Sequence, residues 1–411
     1  MKTANKKNTN KKLLLTSLIV LFALSVAGAS WAYRGNSSSN ISYISSGNTN
    51  SVSVAGLVEG SVLDTTEMFT ERDLEQSADL SDATYITLEN NQDVSITEAG
   101  VYVLSGDVEN VTITVDADDE AKVQLVLDGV SIVNDDSPAI YVKSADKVFV
   151  TLTDSDNYLE VSGTYQADGD TNLDAVIFSK DDLVLNGVGS LEVVSAQGNG
   201  ITSKDDLKIT GGTYSITSLE DSLEANDSIR IAGGDITIDS GKDGLHSENE
   251  DDLSLGYIYI SGGTLNITAA DDGIQGTSVV QIDGGVINVG TSMEGIEGTY
   301  IQINGGDITI YAKDDGINAS AKSNAYDTVI EVNGGTIDVT VGSGDTDAFD
   351  SNGNIYINGG TINVSANSAF DPNGTAELNG GTVTVNGEVI TEITVSPMGG
   401  GGGRMGGGMA R

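Results

Sequence analysis

Residues 301–317 read Ile-Gln-Ile-Asn-Gly-Gly-Asp-Ile-Thr-Ile-Tyr-Ala-Lys-Asp-Asp-Gly-Ile, and this stretch decides the fold. Two short runs that alternate apolar with polar residues flank the Gly305-Gly306 pair, and a third short element, Asp315-Gly-Ile317, follows them. Alternation with a period of two is the pattern of a strand with one buried face. The stretch therefore predicts three short strands separated by turns.

The same arrangement recurs along much of the chain. Gly-Gly pairs begin at residues 211, 233, 262, 284, 305, 334, 359 and 380, so that successive pairs are 21 to 29 residues apart. A fixed period of this length indicates a solenoid, in which each repeat buries its apolar face by stacking on its neighbours. We expect an all-β fold, a single-stranded parallel β-helix with three sides and about 24 residues per coil.

The composition excludes several classes of function. The chain has 411 residues, with 61 acidic side chains against 19 basic ones, a formal net charge of −42, one histidine and no cysteine. Disulfides and thiolate metal sites are excluded, and a single histidine leaves little room for a Ser-His-Asp site. The strong negative charge makes nucleic acid and anionic lipid poor partners, but it should attract cations.

The two ends of the chain differ from the repeats. Residues 1–32 hold a basic stretch, the apolar run Leu13–Ala27 and then small residues, which predicts a signal peptide or an uncleaved N-terminal anchor. The protein is therefore expected to be secreted or on the cell surface, with membrane contact only through that segment. The composition predicts a Ser/Asn/Gly-rich linker at residues 33–60, the repeat domain at residues 61–395 and a Gly/Met-rich disordered tail at residues 396–411.

Acidic side chains recur at fixed places beside the third element of the repeat. Equivalent residues of neighbouring coils lie about 4.8 Å apart, and a calcium ion between two carboxylate oxygens spans about 5 Å. The pattern predicts Ca²⁺ as a cofactor, although a solvated acidic edge that keeps the solenoid soluble is the alternative. The predicted metal ligands are Asp221, Asp243, Asp272, Glu294, Glu297, Asp315, Asp347 and Asp350.

Tyrosine and amide side chains recur at the outward positions before the Gly-Gly pairs. Aromatic rings stack on the apolar faces of sugars, and amides bond sugar hydroxyls, so these positions predict a polysaccharide-binding face. The alternative is ordinary strand propensity, because Tyr and Thr are common in strands. The candidate carbohydrate-binding residues are Tyr257, Tyr259, Tyr300, Gln302 and Tyr356.

Two phrases carry a resemblance to a known family. Residues 121–132 read Ala-Lys-Val-Gln-Leu-Val-Leu-Asp-Gly-Val-Ser-Ile, and residues 200–212 read Gly-Ile-Thr-Ser-Lys-Asp-Asp-Leu-Lys-Ile-Thr-Gly-Gly. With the Asp-Gly-Ile coils that follow, roughly residues 60–395 resemble a family of exported bacterial carbohydrate-binding β-helix proteins.

That resemblance implies a right-handed parallel β-helix similar to that of pectate lyases. It also implies binding to cellulose or acidic, pectin-like polysaccharide, without established catalysis. The acidic positions at which the family binds calcium match Asp243, Asp272, Glu294 and Asp315. Two coils depart from the Asp-Gly-Ile phrase: Glu294 stands in place of the Asp, and in Asp347-Ala-Phe349 the Gly and the Ile are replaced.

Three functions remain open from the sequence. The first is a non-catalytic, calcium-dependent polysaccharide-binding protein of the cell exterior, acting as a monomer. The second is a calcium-dependent polysaccharide (pectate) lyase, which needs a base that Lys242 or Lys313 would supply, although a lysine beside acids is more often a simple ion pair. The third is a structural surface adhesin that uses the solenoid for its length.

Overall fold

A computed structural model of the chain describes residues 60–344 and 346–394. These residues fall in one unit, Ser51–Arg411. The predicted signal or anchor at 1–32, the linker apart from Gly60, and the tail at 396–411 lie outside the described residues.

The described residues form 34 strands and no helix, and hence no helix long and apolar enough to cross a membrane. In chain order the strands are β1 (Thr84–Thr87), β2 (Val94–Ile96), β3 (Gly100–Glu109), β4 (Ile113–Asp116), β5 (Lys122–Asn134), β6 (Ile140–Ser144), β7 (Lys147–Leu152), β8 (Asp156–Val161), β9 (Ala175–Ser179), β10 (Asp182–Gly187), β11 (Ser190–Ser195), β12 (Asn199–Ser203), β13 (Asp206–Ile209), β14 (Thr213–Ser218), β15 (Leu223–Ala225), β16 (Ser228–Ile231), β17 (Asp235–Ser240), β18 (Leu245–Ser247), β19 (Tyr257–Ile260), β20 (Thr264–Ala269), β21 (Ile274–Ile282), β22 (Val286–Ser292), β23 (Ile296–Ile303), β24 (Asp307–Ala312), β25 (Ile317–Ala319), β26 (Val329–Val332), β27 (Thr336–Val341), β28 (Asp347–Ser351), β29 (Asn354–Ile357), β30 (Thr361–Ser365), β31 (Ser368–Pro372), β32 (Ala376–Leu378), β33 (Thr382–Val385) and β34 (Glu388–Ile390).

Almost every strand pairs in parallel with the equivalent strand of the next coil, which gives three series. Series 1 precedes the Gly-Gly turns and contains β1, β3, β5, β7, β10, β13, β16, β19, β21, β23, β26, β29 and β32. Series 2 follows those turns and contains the later parts of β3 and β5, then β8, β11, β14, β17, β20, β22, β24, β27, β30 and β33. Series 3 contains β2, β4, β6, β9, β12, β15, β18, the first parts of β21 and β23, then β25, β28 and β31.

These pairings confirm an all-β fold with one long, mostly parallel sheet, as expected for a solenoid. The exception within the described residues is β34, which pairs antiparallel with β33. This hairpin covers one edge of the last coil, where an open strand would otherwise invite pairing with another chain.

The Gly-Gly turn has a steric reason at each of its two positions. A Cβ on Gly305 would lie 2.5 Å from the carbonyl oxygen of Asp283 in the preceding coil. Gly306 has a φ of 94°, a conformation that favours glycine. The first glycine lets neighbouring coils approach each other, and the second lets the chain turn from series 1 into series 2.

The apolar members of the alternating runs form the core along the inside of the coils. In the coil quoted above, Ile301, Ile303, Ile308, Ile310 and Ile317 are all buried. Full burial of each such side chain contributes about 1.5–3 kcal/mol. Stacked burial of this kind, repeated in coil after coil, is what holds each strand in register with the next.

Residues 60–83, here called the strap, cross the outer side of series 1. Gln302 accepts a hydrogen bond from the backbone N–H of Val62 at 2.9 Å, and Gln281 accepts one from that of Leu63 at 3.0 Å. Several coils away, Gln76 accepts a hydrogen bond from the backbone N–H of Gly187 at 2.9 Å. The strap therefore lies across series 1 from β23 to β10.

A buried ionic cluster anchors the middle of the strap. The fully buried carboxylate of Asp73 lies 3.3 Å from Nζ of Lys147 and 3.9 Å from Nζ of Lys208. Next to it, Nη2 of Arg230 lies 2.8 Å from Asp206, and its Nη1 donates a hydrogen bond to the carbonyl of Met68. A carboxylate of the strap thus compensates lysines that the sheet has withdrawn from water.

Candidate functional site

Two columns of polar side chains flank the buried apolar residues of series 3. The outer column follows the buried residue, and strand register places its members directly opposite one another: Glu224, His246, Gln275, Glu297, Asn318, Asp350 and Asp371. The inner column precedes the buried residue and contains Asp221, Asp243, Asp272, Glu294, Asp315 and Asp347. All eight predicted metal ligands belong to these two columns.

The inner column is tied together by hydrogen bonds between coils. Oδ1 of Asp221 accepts a hydrogen bond from the backbone N–H of Asp243 at 2.9 Å, and Oδ1 of Asp243 accepts one from Asp272 at 2.9 Å. The same bond joins Asp315 to Asp347 at 2.7 Å. One carboxylate oxygen at each of these steps therefore satisfies a backbone donor, a role that the spacing of acids in the sequence does not reveal.

Three groups of these side chains bring potential ligand atoms within 4.8 Å of one another. The central group is Asp272, Glu294 and Glu297, which supplies carboxylate oxygens alone, as calcium prefers. A second group adds Asp243 and Asp271 to Asp272. The third is Asp221, Asp243 and His246.

The central carboxylates are held in an environment that opposes their charge. Burial, followed by the charges of Glu294, Glu297 and Asp243, raises the pKa of Asp272 to about 8. Burial and then the charge of Glu297 raise the pKa of Glu294 to about 7. In the protein alone the raised pKa values favour the protonated forms near neutral pH, and a divalent cation would offset the shift by stabilising the charged carboxylates.

Basic side chains of the chain itself already pair with acids on both sides of Asp272. On one side, Nζ of Lys242 lies 2.9 Å and Nδ1 of His246 lies 3.1 Å from the same oxygen of Asp221. Burial opposes the charge of Asp221, but His246 and Lys242 outweigh it and lower the pKa of this carboxyl. On the other side, Nζ of Lys322 lies 2.6 Å from Glu297.

These contacts also bear on the protonation state of Lys242, a candidate base for a lyase. Burial acts to lower the pKa of its ammonium, but hydrogen bonding and attraction to Asp221 and Asp243 raise the pKa above its usual value. Lys242 is therefore protonated at neutral pH and does not provide the free amine that proton abstraction needs. Lys313, the other candidate, is exposed.

Further along the columns, Asp315 and Asp350 have no such partners. Within residues 60–344 and 346–394, neither carboxylate forms an ion pair with a basic side chain. Burial and neighbouring acids outweigh a backbone hydrogen bond and raise the pKa of Asp315 to about 6. Burial, followed by the charges of Asp315 and Asp347, raises the pKa of Asp350 to about 7. Asn318 lies in this region, 8% exposed, and its Oδ1 is buried without a hydrogen-bond partner. An unused buried oxygen among carboxylates fits the ligand set of calcium.

The tyrosine face differs from the prediction of an open, flat surface. Tyr257 is 8% exposed and Tyr259 is 2% exposed, because the strap covers both. The ring of Phe69 lies 6.2 Å from that of Tyr259, and the hydroxyl of Tyr257 faces the sulfur of Met68. These two rings pack in a small apolar core between strap and sheet, so neither offers a face to a sugar in this structure.

Gln302 is likewise fully buried, which corrects its predicted exposure. Its amide bonds the backbone of Gly60 at 2.8 Å and the carboxylate of Glu331 at 2.7 Å. Tyr300 is half-buried at the edge of the strap, and its hydroxyl donates to Glu331 at 2.9 Å. Of the five candidates, Tyr356 lies furthest from the strap, two coils beyond Gln302, and is half-buried.

Comparison with known proteins identifies the family. A family model described as "Carbohydrate-binding domain-containing protein" matches residues 90–348 and 291–389. A protein of the same description from Acetivibrio thermocellus is 41% identical over 130 residues, 31% of this chain and 46% of the relative, so the chain spans about half of the relative's length. A solved gadolinium derivative of a polysaccharide lyase-like protein from C. thermocellum is 35% identical, covering 55% of this chain and 92% of its own, with a TM-score of 0.47. Since the family model matches well over half of its residues, the chain belongs to the family of carbohydrate-binding domain-containing proteins.

Proposed function

We propose that the protein is a non-catalytic, calcium-dependent polysaccharide-binding protein of the cell exterior. Its ligands are cellulose or acidic, pectin-like glycans, and it acts as an exported monomer. We propose also that its coils form a three-sided, right-handed parallel β-helix. Membership of the family supports carbohydrate binding. The stacked carboxylates of series 3 are the single observation that supports calcium binding.

The residues that would hold calcium are stacked oxygen donors of the two columns, and the pKa values of four of them, Asp272, Glu294, Asp315 and Asp350, are raised. Asp272, Glu294 and Glu297 form the first candidate position, and Asp315, Asp350 and Asn318 form the second. Bound there, calcium would neutralise the stacked carboxylates and present coordination positions to the carboxylates of an acidic glycan.

The chain's own residues prepare these positions. The hydrogen bond from Glu294 N–H to Oδ1 of Asp272, at 3.3 Å, fixes one oxygen of that carboxylate to the next coil. Gln275 donates to the other oxygen of Asp272 at 2.6 Å and to Glu297 at 2.9 Å, which holds both side chains on the same side of the sheet. Rigid positioning of this kind reduces the ordering cost of binding.

A direct test is isothermal titration of the full chain with polygalacturonate and with cellohexaose, in millimolar calcium and in excess chelator. We expect polygalacturonate to bind in calcium and to lose at least tenfold in affinity in chelator. The double variant Glu294→Gln/Glu297→Gln should lose the calcium dependence, whereas Asp239→Asn, an exposed acid of series 2, should not. Failure of the wild-type protein to bind either glycan in calcium would falsify the proposed function.

The same samples separate binding from catalysis. A lyase would release unsaturated uronides from polygalacturonate, which are detected by their ultraviolet absorbance. We expect no increase in absorbance in calcium at neutral or alkaline pH. An increase that is abolished in Lys313→Ala would instead support the lyase.

A further inference from the structure

Series 2 presents a polar outer face that two tyrosines interrupt. Along the described strands of this series, the outward positions are occupied mostly by Thr, Ser, Asn and Asp, and the aromatic exceptions are Tyr158 on β8 and Tyr311 on β24. Tyr158 lies in a groove of 440 Å³ that crosses β5, β8, β11 and β14. All the residues that line it belong to these four strands, and none belongs to the strap.

The groove surrounds one half-buried ring with hydrogen-bonding groups. Strand register places Tyr158 between Ser131 of the preceding coil and Glu192 of the following one, about 4.8 Å away on each side. Asp156 and Ser190 line the groove beside them. Thr213 and Ser215 extend it onto the next coil.

The ring of Tyr158 is fixed before any ligand arrives. Its hydroxyl donates a hydrogen bond to Oε2 of Glu160, two residues along the strand, at 2.7 Å. Burial, followed by the contact with Glu160, raises the pKa of Tyr158 to about 12, so the phenol remains a neutral donor. A preorganised aromatic ring offers contact area at little entropic cost.

We propose that this groove binds a segment of a neutral polysaccharide, with a sugar ring packed on Tyr158 and its hydroxyls bonded by the carboxylates of Asp156 and Glu192. The inference rests on the proposed function and adds a second binding surface, on a different series from the acidic columns. Concave sites that combine an aromatic ring with a few convergent polar groups are typical ligand sites.

The charge of the groove decides between neutral and acidic glycans. Asp156, Glu160 and Glu192 all lie in or beside it, and no basic side chain is among the residues that line it. Carboxylates accept hydrogen bonds from sugar hydroxyls but repel the carboxylates of a uronic acid chain. A neutral chain is therefore the complementary occupant, and an acidic chain would be directed to the calcium positions of series 3.

The test is titration of the full chain with cellohexaose and with polygalacturonate in calcium, for the wild type and five variants. Tyr158→Ala should weaken cellohexaose binding at least tenfold and leave polygalacturonate binding unchanged. Tyr158→Phe, which keeps the ring, should stay within about threefold of the wild type. Tyr85→Ala removes an exposed tyrosine on series 1 and should have no effect.

Each outcome bears on one proposal or on both. If the wild type binds polygalacturonate but not cellohexaose, or if Tyr158→Ala binds cellohexaose normally, the groove is not the site and the proposed function survives. A loss confined to Tyr311→Ala also overturns the assignment to Tyr158. Thr213→Trp, an exposed position within the groove, should block cellohexaose without lowering the unfolding temperature, which separates a binding defect from misfolding. Binding of neither glycan overturns the proposed function together with this inference.

Discussion

Oδ1 of Asp243 accepts a hydrogen bond from the backbone N–H of Asp272, one coil further on, at 2.9 Å. Asn199 makes the equivalent contact with the N–H of Asp221 at 3.0 Å. Because Asn199 is uncharged, this series of contacts between coils, here called the ladder, needs an oxygen acceptor and no negative charge. The negative charge of the remaining positions is a separate property. The hydrogen bond and the charge can therefore be tested independently.

Asp243→Ala and Asp243→Asn should differ in their effect on stability. The alanine variant leaves the buried N–H of Asp272 without a partner and should lower the free energy of unfolding by about 1–3 kcal/mol. The asparagine variant keeps the acceptor and removes a like charge, so in chelator it should be as stable as the wild type or more so. Urea denaturation measures both, and equal losses in the two variants would contradict the ladder.

The raised pKa of Asp272 predicts a pH dependence of stability in the absence of calcium. Its usual value is 3.8 and its folded value is about 8, so between these limits the folded state binds more protons than the unfolded state. The free energy of unfolding should therefore fall as the pH rises through this interval. Urea denaturation in chelator at pH 5 and pH 8 checks the sign, and Asp272→Asn should show a shallower decline. A variant with the wild-type slope would show that Asp272 is not responsible.

The repeats and the strap differ in how far the sequence predicts them. Alternation around the Gly-Gly pairs predicts the strands, because inward burial imposes a period of two, and the acids that recur beside the third element predict members of the outer column such as Glu297 and Asp350. The strap has no period, since its backbone is bonded to side chains such as Gln281 instead of to a neighbouring strand. In the sequence Gln281 looks like an ordinary outward residue. The burial of Tyr257 and Tyr259 could therefore not be predicted.

Removal of Asp73 should destabilise the protein much more than removal of an exposed acid in the same segment. Asp73→Ala leaves Lys147 and Lys208 buried with their local charge balance disturbed, and the free energy of unfolding should fall by about 3 kcal/mol. Asp64→Ala, on the exposed part of the strap, should leave it unchanged. Comparable stabilities of the two variants in urea would show that the ionic cluster does not anchor the strap.

Tyr259→Ala should affect stability and leave glycan binding intact. The ring packs against Phe69 under the strap, so its loss creates a cavity and should cost about 3 kcal/mol. Affinity for polygalacturonate in calcium should stay within twofold of the wild type at a temperature where the variant remains folded. A selective loss of affinity with normal stability would instead mean that the strap leaves the ring accessible in solution.

Lys322→Gln should bind calcium more tightly than the wild type, although it removes a salt bridge. Nζ of Lys322 lies 2.6 Å from Glu297. Its ammonium therefore neutralises negative charge of the central group that a metal ion would otherwise neutralise. Burial acts against the charge of Lys322, but Glu297, Asp272 and Glu294 raise the pKa of its ammonium, so the competing cation is present at neutral pH. Its removal should lower the calcium dissociation constant by about fivefold to tenfold, equivalent to about 1 kcal/mol, and should reduce stability in chelator.

Lys122→Gln, which breaks the exposed pair with Asp146, is the matched control and should leave calcium affinity unchanged. Weaker calcium binding in Lys322→Gln, measured by titration at constant ionic strength, would place the ion away from Asp272, Glu294 and Glu297.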